Sequence, residues 1–478
     1  MSGNFSLVKK NTFYSTITIF SRLFSNVFLF WILARIYGPE QFGIFTFAHA
    51  LSTTFIIFAD FGLDVLLITE IASNPDKKKE IIEKLFGIKL IFVISATILM
   101  LVSSQIFPIG RKSFELIFVF GFYLFFTSLN NFLFGIFRGY ERFIFETRVS
   151  LISNISLIIL AIIILFLKLD LMYVASIFVL TRVIGVLFSF FYLQSLDKTF
   201  RFKINFSDLG VLKSKTLIFG VHLVFSYLFF QIDTLLLAKI SGEYSVGIYQ
   251  SVFKLIMLPL VIPDILINSL TPTLSRLYYQ SRTDWFSLGS SMGRILIMLI
   301  IPISVILFFY STEIISLIYG LKNFGESIMV LKIFSLILFV RFLLEPFALM
   351  LTTSNRQKIR MWTVIVATLL NIVLNLYLIP RYGVNGAAFV SLIVNLIVAI
   401  IYFSFVEKEF RHWLFDIKNF ISIFGSTVMV WLLKEFININ FVFQIVLFGI
   451  FYFIAIYSFY LKENEKNILV SILKKTSI

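Results

Sequence analysis

The sequence predicts an all-α integral membrane protein of about fourteen transmembrane helices, with both termini in the cytoplasm. Three observations carry this reading. Hydrophobic residues make up 59% of the 478 positions and charged residues only 14%, with a mean hydropathy of +0.96, whereas soluble globular domains are about 25% charged. Apolar runs long enough to span a bilayer recur along the whole chain, and basic residues are unevenly shared between alternate loops. The 61 Phe, nine Pro and absence of Cys exclude a disulfide framework, a thiolate metal site, a cysteine nucleophile and a disordered low-complexity chain.

The spanning runs read at 12–36, 41–68, 85–106, 114–137, 147–167, 171–193, 213–237, 246–272, 290–311, 327–351, 360–379, 383–406, 415–433 and 440–461. Lys9 and Lys10 precede the first run and no small-residue cleavage site follows it, so that run stays as a helix and Met1 lies inside. Charge placement tests the count, because a missed helix would invert every later loop. With the N-terminus inside, 28 of the 41 basic residues fall in cytoplasmic segments, Lys89 among them, and eight fall in outer ones. Much of the net charge of +15 is then orientation and contact with anionic lipid, not a nucleic-acid footprint.

The segment LARIYGPEQFGIF at 33–45 returns as LAKISGEYSVGIY at 237–249, an offset of 204 with six identities in thirteen. Both copies sit at the outer end of one helix and the start of the next. Six crossings separate them, so the two halves run in the same direction, as parallel repeats do.

Three stretches carry a family resemblance. LARIYGPEQFGIFTFAHALSTTFIIFADFGLDVLLITEIA at 33–72, DTLLLAKISGEYSVGIYQSVFKL at 233–255 and NIVLNLYLIPRYGVNGAAFVSLIVN at 371–395 resemble the polysaccharide-biosynthesis flippases, the Wzx-type translocases of the multidrug/oligosaccharidyl-lipid/polysaccharide exporter superfamily. The resemblance implies two MATE-like six-helix bundles, 1–205 and 206–410, around a cavity open to one side at a time, with 411–478 forming an accessory helix pair and cytoplasmic tail. It implies no catalysis and no cofactor beyond a coupling H+ or Na+. The implied cargo is an undecaprenyl-diphosphate-linked oligosaccharide for O-antigen, capsule or exopolysaccharide. Membrane lipids, a polysaccharide polymerase and a chain-length regulator are the implied partners, and the implied location is a prokaryotic cytoplasmic membrane. Helices 1, 2, 7 and 8 are the cavity-lining helices of that family.

Charges inside spanning helices are the site candidates, since each costs about 2.5–3.5 kcal/mol at mid-membrane unless it faces a cavity or a partner. Arg22 lies on a polar stripe with Thr18 and Asn26, at helical spacing. The offset of 204 places Thr18 on His222, and the same helix continues to Asp233. Gln250 and Lys254 follow at i, i+4. Arg22 and Lys254 would supply positive potential for a pyrophosphate, with Asp233 as their counter-ion or as a coupling-ion site; snorkelling, or pairing with Asp233 or Asp60, is the structural alternative. Arg341 and Glu345 are spaced to pair in place, and Arg182 and Asp264 are further candidates. Trp31, Tyr227 and Tyr249 are candidates for sugar stacking. Pro259 and Pro263 favour a kink, read as a hinge or as static packing of a bent helix.

The dispersed histidines His49, His222 and His412 suggest no metal cluster. The G-x-S-x-G of Gly289–Gly293 has no preceding strand and opens a membrane helix, so it reads as accidental. No Walker A sequence occurs. A multidrug or cation antiporter of the same superfamily is the first rival reading and would want acidic residues in its cavity. A membrane polysaccharide polymerase or glycosyltransferase is the second, disfavoured by short outer loops.

Overall fold

The computed structural model describes residues 2–108, 110–196, 214–437 and 439–460, and these are helical without strands. The helices are α1 (Ser2–Asp60), α2 (Leu63–Ser73), α3 (Lys78–Ser104), α4 (Arg111–Gly139), α5 (Phe143–Leu167), α6 (Leu171–Leu196), α7 (Ser214–Ile240), α8 (Gly242–Ile256) and α9 (Val261–Gln280). They continue with α10 (Arg282–Phe309), α11 (Ser311–Ile318), α12 (Leu321–Phe324), α13 (Ser327–Thr353), α14 (Gln357–Phe405), α15 (Lys408–Arg411), α16 (Ile417–Phe436) and α17 (Phe441–Ala455).

Each predicted span falls on helix over its described residues, but the breaks lie in places that hydropathy does not mark. α1 and α14 are each two helices joined at a glycine, Gly38 (φ 71°) and Gly383 (φ 54°). The predicted span 41–68 is interrupted at Phe61 (φ 32°) and Gly62 (φ 76°), and 246–272 is interrupted at 257–260. Among the described residues ten helices are long and apolar enough to cross a membrane, or eleven with α8 and α9 taken as one broken span. The chain is therefore a multi-pass membrane protein.

The internal repeat is written into the backbone. Gly38 and its counterpart Gly242 both adopt positive φ, 71° and 80°, and a new helical segment starts right after each. A side chain there would clash with its own backbone, so glycine is what allows the chain to reverse direction without a loop.

Packing divides the chain into two units. The first comprises Met1–Leu258 with Thr368–Ala387, and the second Pro259–Ala367 with Ala388–Ile478. The core of the first is aromatic: Phe30, Phe45, Phe120 and Phe178 meet edge-on or tilted at 5.2–6.1 Å between centroids, the geometry that ring quadrupoles favour. In the second unit α10 packs on α13 and the segment after α14 docks on α10. Gly289 and Gly293 explain their own spacing there: they leave room for Phe410 and Trp413, and a methyl carbon on Gly293 would stand 2.6 Å from the Trp413 ring. The G-x-S-x-G is a docking groove, in keeping with its reading as accidental. Gly293→Leu should displace Trp413 and destabilise this unit by about 1–3 kcal/mol, read as a lower Tm in detergent; an unchanged Tm would show that Trp413 moves freely.

Candidate functional site

The first unit contains a polar cavity of about 350 Å³, within the roughly 300–1,000 Å³ of ligand sites. Its walls come from regularly spaced positions on successive helices. α1 contributes Thr18, Arg22 and Asn26 from its first arm and Thr53 and Asp60 from its second. α4 contributes Tyr123, Thr127, Asn130 and Asn131; α5 contributes Glu146, Ser150, Ser153 and Asn154; α6 and α7 add Arg182 and Tyr227. These spacings of three and four residues put one polar stripe of each apolar helix on the cavity. Arg22 lies about 15 Å along its predicted span at 1.5 Å per residue, yet it is exposed because the cavity reaches it.

The electrostatics of the walls are asymmetric. Asp60 accepts from Lys89 Nζ at 2.5 Å, from Asn131 Nδ2 at 2.9 Å and from Ser128 Oγ. Lys89 is fully buried and also faces Asp64 at 3.6 Å. It is therefore not a loop charge of the kind the positive-inside count assumes. Glu146 accepts a bidentate pair from Arg138, at 2.7 and 2.5 Å. Both acids on the cavity wall are thus already paired with bases behind them, Lys89 being shared with Asp64. Arg22 and Arg182 are not held in this way: among the described residues neither makes a hydrogen bond or ion pair through its guanidinium, and Arg22 feels Glu146 only at longer range. Arg182 instead lies 5.5 Å from the ring centroids of Tyr123 and Phe178, and its Nε has no hydrogen-bond partner. Asn26 Oδ1, Thr127 Oγ1 and Ser153 Oγ are likewise buried and unpartnered. A buried polar atom without a partner costs about 1–3 kcal/mol, so these atoms are unspent hydrogen-bonding capacity on the cavity wall.

The structure brings Arg22, Asn26 and Asp60 together here, with Arg182 and Tyr227. The other expected residues lie elsewhere. Asp233 is buried and accepts from Tyr249 Oη (2.9 Å), Asn371 Nδ2 (3.1 Å) and Asn375 Nδ2 (2.6 Å), all within the first unit. Gln250 Nε2 donates to the neighbouring Thr234 at 2.6 Å. Lys254 Nζ sits 4.3 Å above the Phe30 ring. The side chain of His222 lies outside the described residues. Arg341 and Glu345 belong to the second unit, where the charges acting on Glu345 are those of Arg360, Arg341 and Asp264. Pro259 falls in the break after α8, and Pro263 is in the first turn of α9.

Sequence reasoning missed Asn130, Asn131, Glu146 and Asn154. Their signal was present in the polar stripe 146, 150, 153, 154 on α5 and in an Asn-Asn pair inside an apolar helix.

Residues 7–278, more than half of the chain, match the polysaccharide biosynthesis protein family. The capsular polysaccharide biosynthesis protein CapF of Staphylococcus aureus is 22% identical over 394 residues, covering 79% of this chain and 94% of that one. Among solved structures, the lipid II flippase MurJ in an inward closed conformation superposes with a TM-score of 0.72 at 18% identity, covering 93% of this chain and 98% of MurJ. An inward-facing multidrug resistance MATE transporter of the MOP superfamily superposes with a TM-score of 0.69 at 18% identity, covering 82% and 95%. The all-helical architecture is that of these transporters, and the chain belongs to the polysaccharide biosynthesis protein family.

Proposed function

We propose that the protein is a flippase which carries undecaprenyl-diphosphate-linked oligosaccharide repeat units from the inner to the outer leaflet of a prokaryotic cytoplasmic membrane, for O-antigen, capsule or exopolysaccharide synthesis. The observation that carries this reading is the pair Arg22 and Arg182, neither held in an ion pair, in a cavity whose acids, Asp60 and Glu146, are each bound to a base. Such a cavity attracts an anion. Guanidinium forks suit phosphate or carboxylate oxygens, and the free Asn, Thr and Ser groups suit sugar hydroxyls. The polyprenyl tail stays in lipid. No bond is made or broken, so the protein acts as a transporter and not as an enzyme.

The cation-antiporter reading is disfavoured by the same observation, because a drug cation would meet two unpaired guanidiniums. Two bundles, 1–205 and 206–410, would alternate in access, with the break at Pro259 and Pro263 as a hinge inside the second. Of the two roles open to Asp233, its setting among Tyr249, Asn371 and Asn375 favours a coupling-ion position over that of a counter-ion. A polymerase and a chain-length regulator would act next on the delivered units.

Deleting the gene and assaying surface polysaccharide together with lipid-linked intermediates tests the reading. Loss of polymer with intact repeat units held on the inner leaflet is the expected result. Normal polymer with altered drug sensitivity would transfer the protein to the antiporters, and unpolymerised units on the outer leaflet would make it a polymerase.

A further inference from the structure

The two copies of the repeat touch each other inside the first unit, through the very residues that match. A methyl carbon on Gly43 would stand 1.8 Å from the carbonyl oxygen of Glu243, and one on Gly247 would stand 1.9 Å from the carbonyl oxygen of Pro39. Gly43 and Gly247 are counterparts at the offset of 204, and so are Pro39 and Glu243. Each glycine therefore faces the carbonyl four residues ahead of the other glycine, as at a two-fold crossing where one patch meets its own copy. Only a bare Cα admits backbones this close. Ser113 Oγ of α4 donates to Glu243 Oε1 and ties the crossing to a third helix. Gly43 lies ten residues before Thr53 of the cavity, about 15 Å along the helix, on the side of the Gly38 turn.

We propose that this reciprocal glycine contact is the latch that seals the outer end of the cavity. The direction rests on the flippase reading above; the seal itself does not. A β-carbon at either glycine meets main chain that has no rotamer by which to yield, so the two helix ends must part, and the sealed state is lost.

The natural chain has no Cys, so one introduced thiol reports alone. Ser251, one turn beyond Gly247 and fully buried, is replaced by Cys, and a membrane-impermeant maleimide is added outside intact cells. Slow labelling is expected with both glycines present, a rate at least about tenfold higher with Gly43→Ala or Gly247→Ala, and a severalfold rise with Ser113→Ala, which removes the tie but leaves the crossing's backbone unaltered. Should the glycine variants fail to accumulate, Ser113→Ala decides. Labelling of the Ser113→Ala protein at the parent rate would overturn the latch, as would parent-rate labelling of a folded glycine variant. Faster labelling in cells whose lipid-linked saccharides prove unaffected by gene deletion would keep the latch and discard the flippase reading.

Discussion

Arg22→Ala and Arg182→Ala are each expected to cut delivery of repeat units to the outer leaflet by tenfold or more, with protein abundance unchanged. The size follows from the chemistry. A hydrogen bond to a charged group is worth about 1.5–3 kcal/mol, and about 1.4 kcal/mol is tenfold. Neither guanidinium is in an ion pair, and Arg182 rests only against the Tyr123 and Phe178 rings, so its removal takes away attraction for the cargo without stranding a buried carboxylate. Arg22→Lys should recover part of the loss, because an ammonium keeps the charge but not the planar fork. Quantifying surface polymer and inner-leaflet intermediates in each variant checks this; wild-type export by both alanine variants would remove the pair from the site.

Lys89→Met is expected to have the larger effect on stability. Lys89 is fully buried and bridges Asp60 and Asp64. Without it Asp60 keeps its hydrogen bonds from Ser128 and Asn131 but loses its counter-charge, and removing one partner of a buried pair costs about 3–5 kcal/mol. The expected result is a large fall in thermal stability in detergent, or loss of the protein from the membrane. Lys89→Met combined with Asp60→Asn should regain part of the loss, since the stranded charge of Asp60 goes with its partner while that of Asp64 remains. A single Lys89→Met variant as stable as the parent would show that water reaches Asp60 and carries its charge. Cargo transport should also suffer, because an uncompensated Asp60 on the wall would oppose an anion.

Much of this arrangement is legible in the chain. Apolar runs place the helices because a bilayer accepts only backbone that satisfies its own hydrogen bonds. The repeat at offset 204 gave the position of two helix breaks, because Gly38 and Gly242 are needed for the same left-handed turn. Arg22 and Asn26 were found because a polar residue every fourth position marks one face of a helix. The break at Phe61 and Gly62 left no mark in hydropathy, since both residues are compatible with a continuing apolar helix.

What only the tertiary structure decided is which charges cancel. Lys89 reaches Asp60 from 29 residues away, Asn371 and Asn375 reach Asp233 from 138 and 142, and Ser113 reaches Glu243 from 130. Periodicity reports which face of a helix is polar, but not which other helix that face meets. The sequence therefore determined a membrane-embedded, repeated, cationic helical protein. Packing between helices determined that Asp60 and Glu146 are spent on internal pairs while Arg22 and Arg182 are left outside any ion pair, because a pair forms only where two separate helices bring charge to the same depth.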